Sequence, residues 1–385
     1  MSTSEAVVDL AAIRANVEVL AAATTAEVMA VVKADGYGHG LVPSARAALA
    51  GGATWLGVAQ LDEALSLRAA GVEAPVLAWL WSPDEADALA RAVSVGVDIS
   101  VSSESALAGL VAAGEVHDEP ARVHLKIDTG LARNGSTAAR WPDLIAATAK
   151  AQAAGVLEVV GIWSHLVYAD APGHPTIGRQ TEAFTAALDV AAAAGVVPQY
   201  RHLANSAATL TRPSAHFDLV RPGIAVYGLN PVPDVPAPAL RPAMTLRSTV
   251  ALAKEVEAGQ GVSYGHQYTT SARTRLALVP LGYADGVPRA ATNVGPVQVA
   301  GRRATVSGRV CMDQFVVDVG DAPVAAGDEV VLFGPGEQGE PTAQDWADAV
   351  GTIHYEIVTR IGARVPRRYV GGGHVGGDVG GGTPW

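Results

Sequence analysis

A chain of 385 residues exceeds one comfortable hydrophobic core, so two domains are expected. Its 27 Lys and Arg against 38 Asp and Glu leave a formal charge of −11, which argues against a general nucleic-acid binder. The single cysteine, Cys311, excludes an intrachain disulfide and, with scattered histidines, a zinc cluster, so no metal site is expected.

The N-terminus, MSTSEAVVDL, lacks a basic stretch and carries Glu5 and Asp9, so it does not read as a signal peptide. Apolar stretches are broken by charges and turns short of the roughly 18 residues a membrane span needs. A cytoplasmic protein with no membrane role is the expectation.

From 28 to 225, short apolar runs alternate with Ala-rich stretches of helical composition. The runs VMAVVKA (28–34), WLGVA (55–59), PVLAW (75–79) and VDISV (97–101) read as strands. So do RVHLKID (122–128), EVVGIWSH (158–165), YRHLAN (200–205) and LVRPG (219–223). Helical stretches fall at 45–50, 62–70, 83–92 and 103–113, and two of them end at Gly71 and Gly114. Eight such units predict an α/β TIM-type (β/α)8 barrel, with a doubly wound sheet as the alternative. Lys33, Lys126, Asp128, His165, His202, Asn205 and Arg221 then sit at or just past strand C-termini, the face that carries chemistry in barrels.

A proline-dense segment, NPVPDVPAPALRP (230–242), marks a domain boundary. Beyond it the runs are β-branched, alternating and broken by Gly, which predicts a mostly antiparallel β domain. One helix is expected at 342–351, with Thr342 as N-cap. The domains are therefore drawn at 1–233 and 240–372, followed by a Gly-rich flexible tail, 373–385.

Six motifs stand out. VVKADGYGHG (31–40) places Lys33 before a Gly-rich turn, as a Schiff-base lysine would need, with an ordinary exposed lysine before a turn as the alternative. LVRPGIAVYG (219–228), beside HLANSAA (202–208), offers Arg221 and backbone N–H groups that suit a phosphate, with Ser206 as either a helix cap or a phosphate donor. Tyr264, Tyr283, Met312 and Asp313 lie in the Gly-flanked or polar islands GVSYGHQY, GYADG and RVCMDQ.

With VSYG, GYADG, RVCMDQ and the final RVPRRYV added, the chain resembles the alanine racemases, fold-type III pyridoxal-phosphate enzymes, from about residue 5 to 370. The resemblance implies a homodimer in which each site takes Tyr264, Tyr283 and Met312 from the partner chain. It implies that Lys33 holds pyridoxal 5'-phosphate and that Tyr37, Ser206, Gly223, Ile224 and Tyr355 bind the phosphate, with Asn205 nearby. Arg221 would face the pyridine nitrogen, supported by His202, and His165 would link Arg221 toward Tyr264. Arg133, in KIDTGLARNG, would hold the substrate carboxylate with the Met312 N–H, while Tyr283 and Tyr355 narrow the entrance and Asp313 stands behind. Lys126 would be a candidate for carbamylation, or a plain lysine paired with Asp128.

The implied activity is interconversion of L- and D-alanine by two bases, Lys33 and Tyr264, supplying D-alanine for peptidoglycan. Lysine and tyrosine ordinarily titrate near roughly 10.4 and 10, so both need cationic surroundings to work near neutral pH. The alternatives are a serine or broad-specificity racemase or a basic amino-acid decarboxylase of the same fold, or a non-enzymatic pyridoxal-phosphate carrier. HLVYAD (165–170) departs from the family in Val167 and Tyr168.

Overall fold

The computed structural model describes residues 3–115, 119–233, 235 and 239–372. The tail from 373 to 385 and part of the proline-dense segment lie outside the described residues. The chain divides into two compact units. One comprises Ile13–Gly36 and Leu41–Leu240; the other comprises the described residues of Met1–Ala12, Tyr37–Gly40 and Arg241–Trp385.

The first strand, β1 (Glu5–Asp9), precedes eight strands of the first unit: β2 (Glu27–Val31), β3 (Trp55–Val58), β4 (Val76–Ala78), β5 (Asp98–Val101), β6 (Ala121–Lys126), β7 (Leu157–Trp163), β8 (Tyr200–His202) and β9 (Leu219–Val220). These match the eight expected runs. They pair in parallel in the order β8-β7-β6-β5-β4-β3-β2-β9. The two ends meet through the N–H groups of Asp218 and Arg221, which donate to the carbonyls of Arg201 (3.0 Å) and Ala204 (2.9 Å). The sheet is therefore a barrel, not a doubly wound sheet.

Strands buried on both faces read as continuous apolar runs, which is why the eight were visible. Met29, Trp55, Leu77, Val160 and Leu219 form a buried cluster from five of them. Full burial of such a side chain stabilises by about 1.5–3 kcal/mol. The surrounding helices stop as expected at Gly71, where a φ of +76° suits glycine. Gly114 differs. It is the last buried residue of the helix Glu104–Gly114, and a Cβ there would sit 3.1 Å from the Ala121 Cβ, so close packing rather than a left-handed cap requires it.

The second unit contains β1 with β10 (Met244–Thr249), β11 (Leu252–Val256), β12 (Gly261–Val262), β13 (Tyr268–Thr269), β14 (Thr274–Val279), β15 (Pro296–Val299), β16 (Arg302–Thr305), β17 (Phe315–Asp318), β18 (Glu329–Phe333) and β19 (Arg367–Val370). A six-stranded sheet runs β16-β15-β18-β10-β1-β19, beside sheets β11-β14-β17 and β12-β13. All pairs are antiparallel except β1–β19. The N-terminal strand thus belongs with the β unit and not with the barrel, as the 1–233 boundary supposed: Ala6 and Val8 are buried there, and β1 hydrogen-bonds to β10 and β19. The helix Ala343–Val350 opens at Thr342, whose hydroxyl accepts from the Asp345 N–H at 3.1 Å. A second helix not expected from the sequence, His354–Thr359, carries Tyr355. No helix among the described residues is long and apolar enough to cross a membrane.

Candidate active site

The barrel brings its polar residues to the C-terminal ends of the strands. Lys126 and His202 close β6 and β8, Arg221 follows β9 by one residue, and Lys33 and His165 follow β2 and β7 by two.

Lys33 opens an unusual turn. Ala34, Asp35, Gly36 and Tyr37 are all left-handed, with φ between 52° and 61°. Holding the three non-glycine residues there costs on the order of 1–3 kcal/mol each. The Asp35 carboxylate accepts from the Leu41 N–H at 2.7 Å, and Glu63 accepts from the Ala34 N–H at 2.5 Å and the Ala59 N–H at 2.9 Å. Gly36 is required twice over, because a Cβ at φ +61° would also lie 2.7 Å from the Ser44 Oγ. Burial, then the Arg133 charge, lowers the Lys33 ammonium below its ordinary value, against the opposing pull of Glu63. That favours the free amine a Schiff base needs.

Arg221 is 4% exposed. Its Nη2 donates to the carbonyls of Ser164 (2.7 Å) and Leu203 (3.3 Å) and approaches His165 Nδ1 at 3.4 Å, while Nη1 lies 3.2 Å from His202 Nδ1. Burial pulls the guanidinium down to about 9, still protonated at neutral pH. The same burial and the Arg221 charge hold both His165 and His202 well below the ordinary imidazole range, so both are neutral.

On the next strand ends, Asn205 and not Ser206 caps the helix Ser206–Thr211, accepting from the Ala208 N–H at 3.1 Å. The Ser206 hydroxyl instead accepts from the N–H groups of Gly223 (2.8 Å) and Ala225 (3.3 Å), which gathers the segment around Ile224.

Lys126 lies 4.0 Å from the centre of the Trp163 ring, and the Arg221 guanidinium 4.7 Å from it. Burial and the charges of Arg221 and Arg133 bring Lys126 down to about 7. Among the described residues no ion pair joins Lys126 to Asp128. One Asp128 oxygen accepts from the N–H groups of Gly130, Leu131 and Ala132 at 2.8–3.2 Å, which shapes the exposed loop presenting Arg133. The strand ends and the Arg133 loop thus gather four basic side chains, Lys33, Lys126, Arg133 and Arg221, of which the two arginines suit an anionic ligand.

Within the second unit, three polar islands converge. The N–H groups of Tyr283 and Ala284 donate to the carbonyls of Cys311 and Met312 at 3.0 Å, and Ser263 Oγ donates to the Arg309 carbonyl at 2.8 Å. Gly282 must lack a side chain, because its Cβ would fall 2.2 Å from the Met312 oxygen. Tyr264, Tyr283 and Met312 are left 72%, 43% and 53% exposed. Asp313 pairs with Arg364 at 2.8 Å. In the same unit Tyr37 is buried, its ring 6.4 Å from that of Tyr355, and burial pushes its phenol well above the ordinary value. Tyr168, the departure noted above, stacks on His174.

Sequence reasoning missed Glu63, Trp163, Asp98 and His124. His124 was open to detection, since it lies two residues before Lys126 on one strand and so points to the same face.

The family model for the alanine racemase N-terminal domain matches residues 8–231, and the model for the C-terminal domain matches residues 243–369. An alanine racemase of Salinispora tropica is 63% identical over 96% of this chain and 99% of its own length, and one of Thermobifida fusca is 60% identical over 96% and 99%. The crystal structure of alanine racemase from the D-cycloserine producer Streptomyces lavendulae superposes with a TM-score of 0.95 at 53% identity, covering 97% of this chain and 98% of that one. Two-domain coverage, near-complete alignment and a matching fold lead to one conclusion: the chain belongs to the alanine racemase family, isomerases that use pyridoxal phosphate.

Proposed function

We propose that this protein interconverts L-alanine and D-alanine on pyridoxal 5'-phosphate, in the cytoplasm, as a homodimer that supplies D-alanine for peptidoglycan. The observation that carries the reading is the presence of a half-buried lysine of lowered pKa, Lys33, and a buried donor-only arginine, Arg221, just past the ends of adjacent barrel strands. The donor set fits the cofactor group by group. The Lys33 amine suits its aldehyde. Arg221, which has no acceptor, suits a pyridine nitrogen kept unprotonated. The Ser206 hydroxyl and the backbone from Gly223 to Ile224 suit its phosphate; the family resemblance would add Tyr37 and Tyr355. Bound there, the cofactor would supply a carbonyl for the substrate amine and a ring that spreads the electron pair left when Cα loses its proton.

The chain's own residues do the rest. Lys33 moves the proton at Cα on one face and Tyr264 on the other. Arg133 and the Met312 N–H orient the carboxylate, with Tyr283 and Tyr355 at the entrance. His165 and His202, neutral beside Arg221, hold that guanidinium without competing for its charge. An arginine that keeps its proton would hold the pyridine nitrogen unprotonated, which would make the ring a weaker electron sink and limit side reactions. The exposure of Tyr264, Tyr283 and Met312 supports their serving a partner's barrel.

The test is an absorption scan and a racemisation assay over the common amino acids, with Lys33→Ala beside the wild type. Alanine should be the preferred substrate, and Lys33→Ala should keep its far-ultraviolet dichroism while losing the cofactor band and the activity. Preferred turnover of serine, or borohydride trapping of the cofactor on another lysine, would contradict the reading.

A further inference from the structure

Behind Arg221 a row of buried polar side chains crosses the barrel interior. His202 Nδ1 faces Arg221 Nη1 at 3.2 Å, and its other nitrogen, Nε2, lies 2.9 Å from His124 Nδ1. His124 Nε2 then lies 3.0 Å from an Asp98 oxygen. His124 and His202 are fully buried and Asp98 is 1% exposed. Arg122 closes the row with Nε 2.8 Å from Oδ1 and Nη2 3.3 Å from Oδ2 of Asp98. The rings are walled in by Trp163, stacked within 2° of the His202 plane, and by Trp55, edge-on to His124. Gly161 leaves the space, since a Cβ there would lie 2.2 Å from His124 Nδ1.

The donor and acceptor inventory allows one arrangement of protons. Arg221 only donates, so His202 Nδ1 must accept and its proton sits on Nε2. The Asp98 carboxylate, ion-paired with Arg122, only accepts, so His124 must carry its proton on Nε2 and leave Nδ1 as an acceptor. The contact between the two rings is then His202 Nε2–H donating to His124 Nδ1. All three contacts are satisfied, both rings are neutral, and a second proton on either would set N–H against N–H.

We propose that Asp98 and His124 are positioning residues which fix the ring tautomer of His202, and so present the lone pair that holds Arg221 in place for the reaction. The proposal rests on the reading of Arg221 as the partner of the cofactor's pyridine nitrogen, but the proton arrangement can be measured apart from turnover. A row of aligned hydrogen bonds in a low-dielectric interior also polarises each member, so the Asp98 charge is felt at Arg221.

The experiment is nitrogen NMR of the cofactor-loaded protein with histidine ring-labelled, His124 and His202 being assigned by loss of signal in His124→Gln and His202→Gln. Wild type should show both rings protonated on Nε2 only, with a coupling across the inter-ring hydrogen bond. In Asp98→Asn the amide keeps its oxygen on the shorter Arg122 contact and turns its NH2 toward His124. His124 should then move its proton to Nδ1, and His202 should change with it. Alanine turnover should fall about ten- to a hundredfold, by analogy with the loss of a carboxylate that orients a metal-bound imidazole. A role in packing alone would leave the ring pattern of Asp98→Asn unchanged. That result, or a wild-type His202 carrying its proton on Nδ1, would overturn the proposal even if alanine racemisation stands. Should Asp98→Asn fail to fold, the wild-type spectrum still decides.

Discussion

Lys126 shows how surroundings change what a residue can do. An ordinary lysine is almost wholly protonated at neutral pH and does not react with carbon dioxide. Burial, Arg221 and Arg133 bring Lys126 to about 7, so about half of it is the free amine at that pH. The same cations would welcome the anion that a carbamate creates, and that anion would draw Arg133 into position. Protein equilibrated with 13C-bicarbonate should therefore give a carbamate carbon signal that grows as pH rises through about 7 and fades below it. The signal should be missing in Lys126→Ala. A signal independent of pH across that range, or one surviving the substitution, would rule out carbamylation at this site. The alternative of a lysine paired with Asp128 loses support from the geometry, because an Asp128 oxygen is committed to three backbone N–H groups.

At the scale of elements, loops fixed by glycines do the positioning. Gly135 closes the loop that carries Arg133, at φ +134° and with a would-be Cβ 2.5 Å from the Asp128 N. Gly135→Ala should displace that loop while leaving the barrel strands alone. KM for alanine should rise more than kcat falls, and thermal unfolding should shift little. An equal loss in both, with a large drop in unfolding temperature, would mean that the loop supports the fold rather than the substrate. The barrel strands were legible in the sequence because burial on both faces writes an unbroken apolar run. The strand β1 was legible as a strand only in hindsight. Its five residues alternate as any half-buried strand does, but its partners lie at 244–247 and 367–370, and such long-range pairing leaves no local mark. The site residues on strand ends were legible for a related reason, since a barrel sends its polar residues to one face. Asp98 and His124 escaped notice because they sit within strand runs, where a polar residue reads as an interruption until its partners on other strands are known: His202 of β8 for His124, and Arg122 and His124 of β6 for Asp98.

At the scale of the molecule, the proposed function calls for active sites shared between two chains. The β unit leaves Tyr264, Tyr283 and Met312 exposed, and a partner's barrel would use them. Mixing inactive Lys33→Ala chains with inactive Tyr264→Phe chains should restore part of the activity, because one site of each hybrid would then be wholly wild type. No recovery after confirmed subunit exchange would mean that each site is built from a single chain.

The central claim is that Lys33 and Tyr264 each serve one face of the substrate carbon. Tyr264→Phe keeps the ring and removes the hydroxyl, so packing changes little while one proton route is lost. Racemisation should fall by about a hundredfold to ten-thousandfold, the usual contribution of a general acid–base group. The decisive measurement is α-deuterium incorporation from deuterated water into each enantiomer separately. The account predicts that Tyr264→Phe still exchanges the α-proton of D-alanine through Lys33 while exchange of L-alanine collapses. Equal losses for the two enantiomers would contradict it, and would reduce Tyr264 to a residue that only holds the phosphate or closes the site.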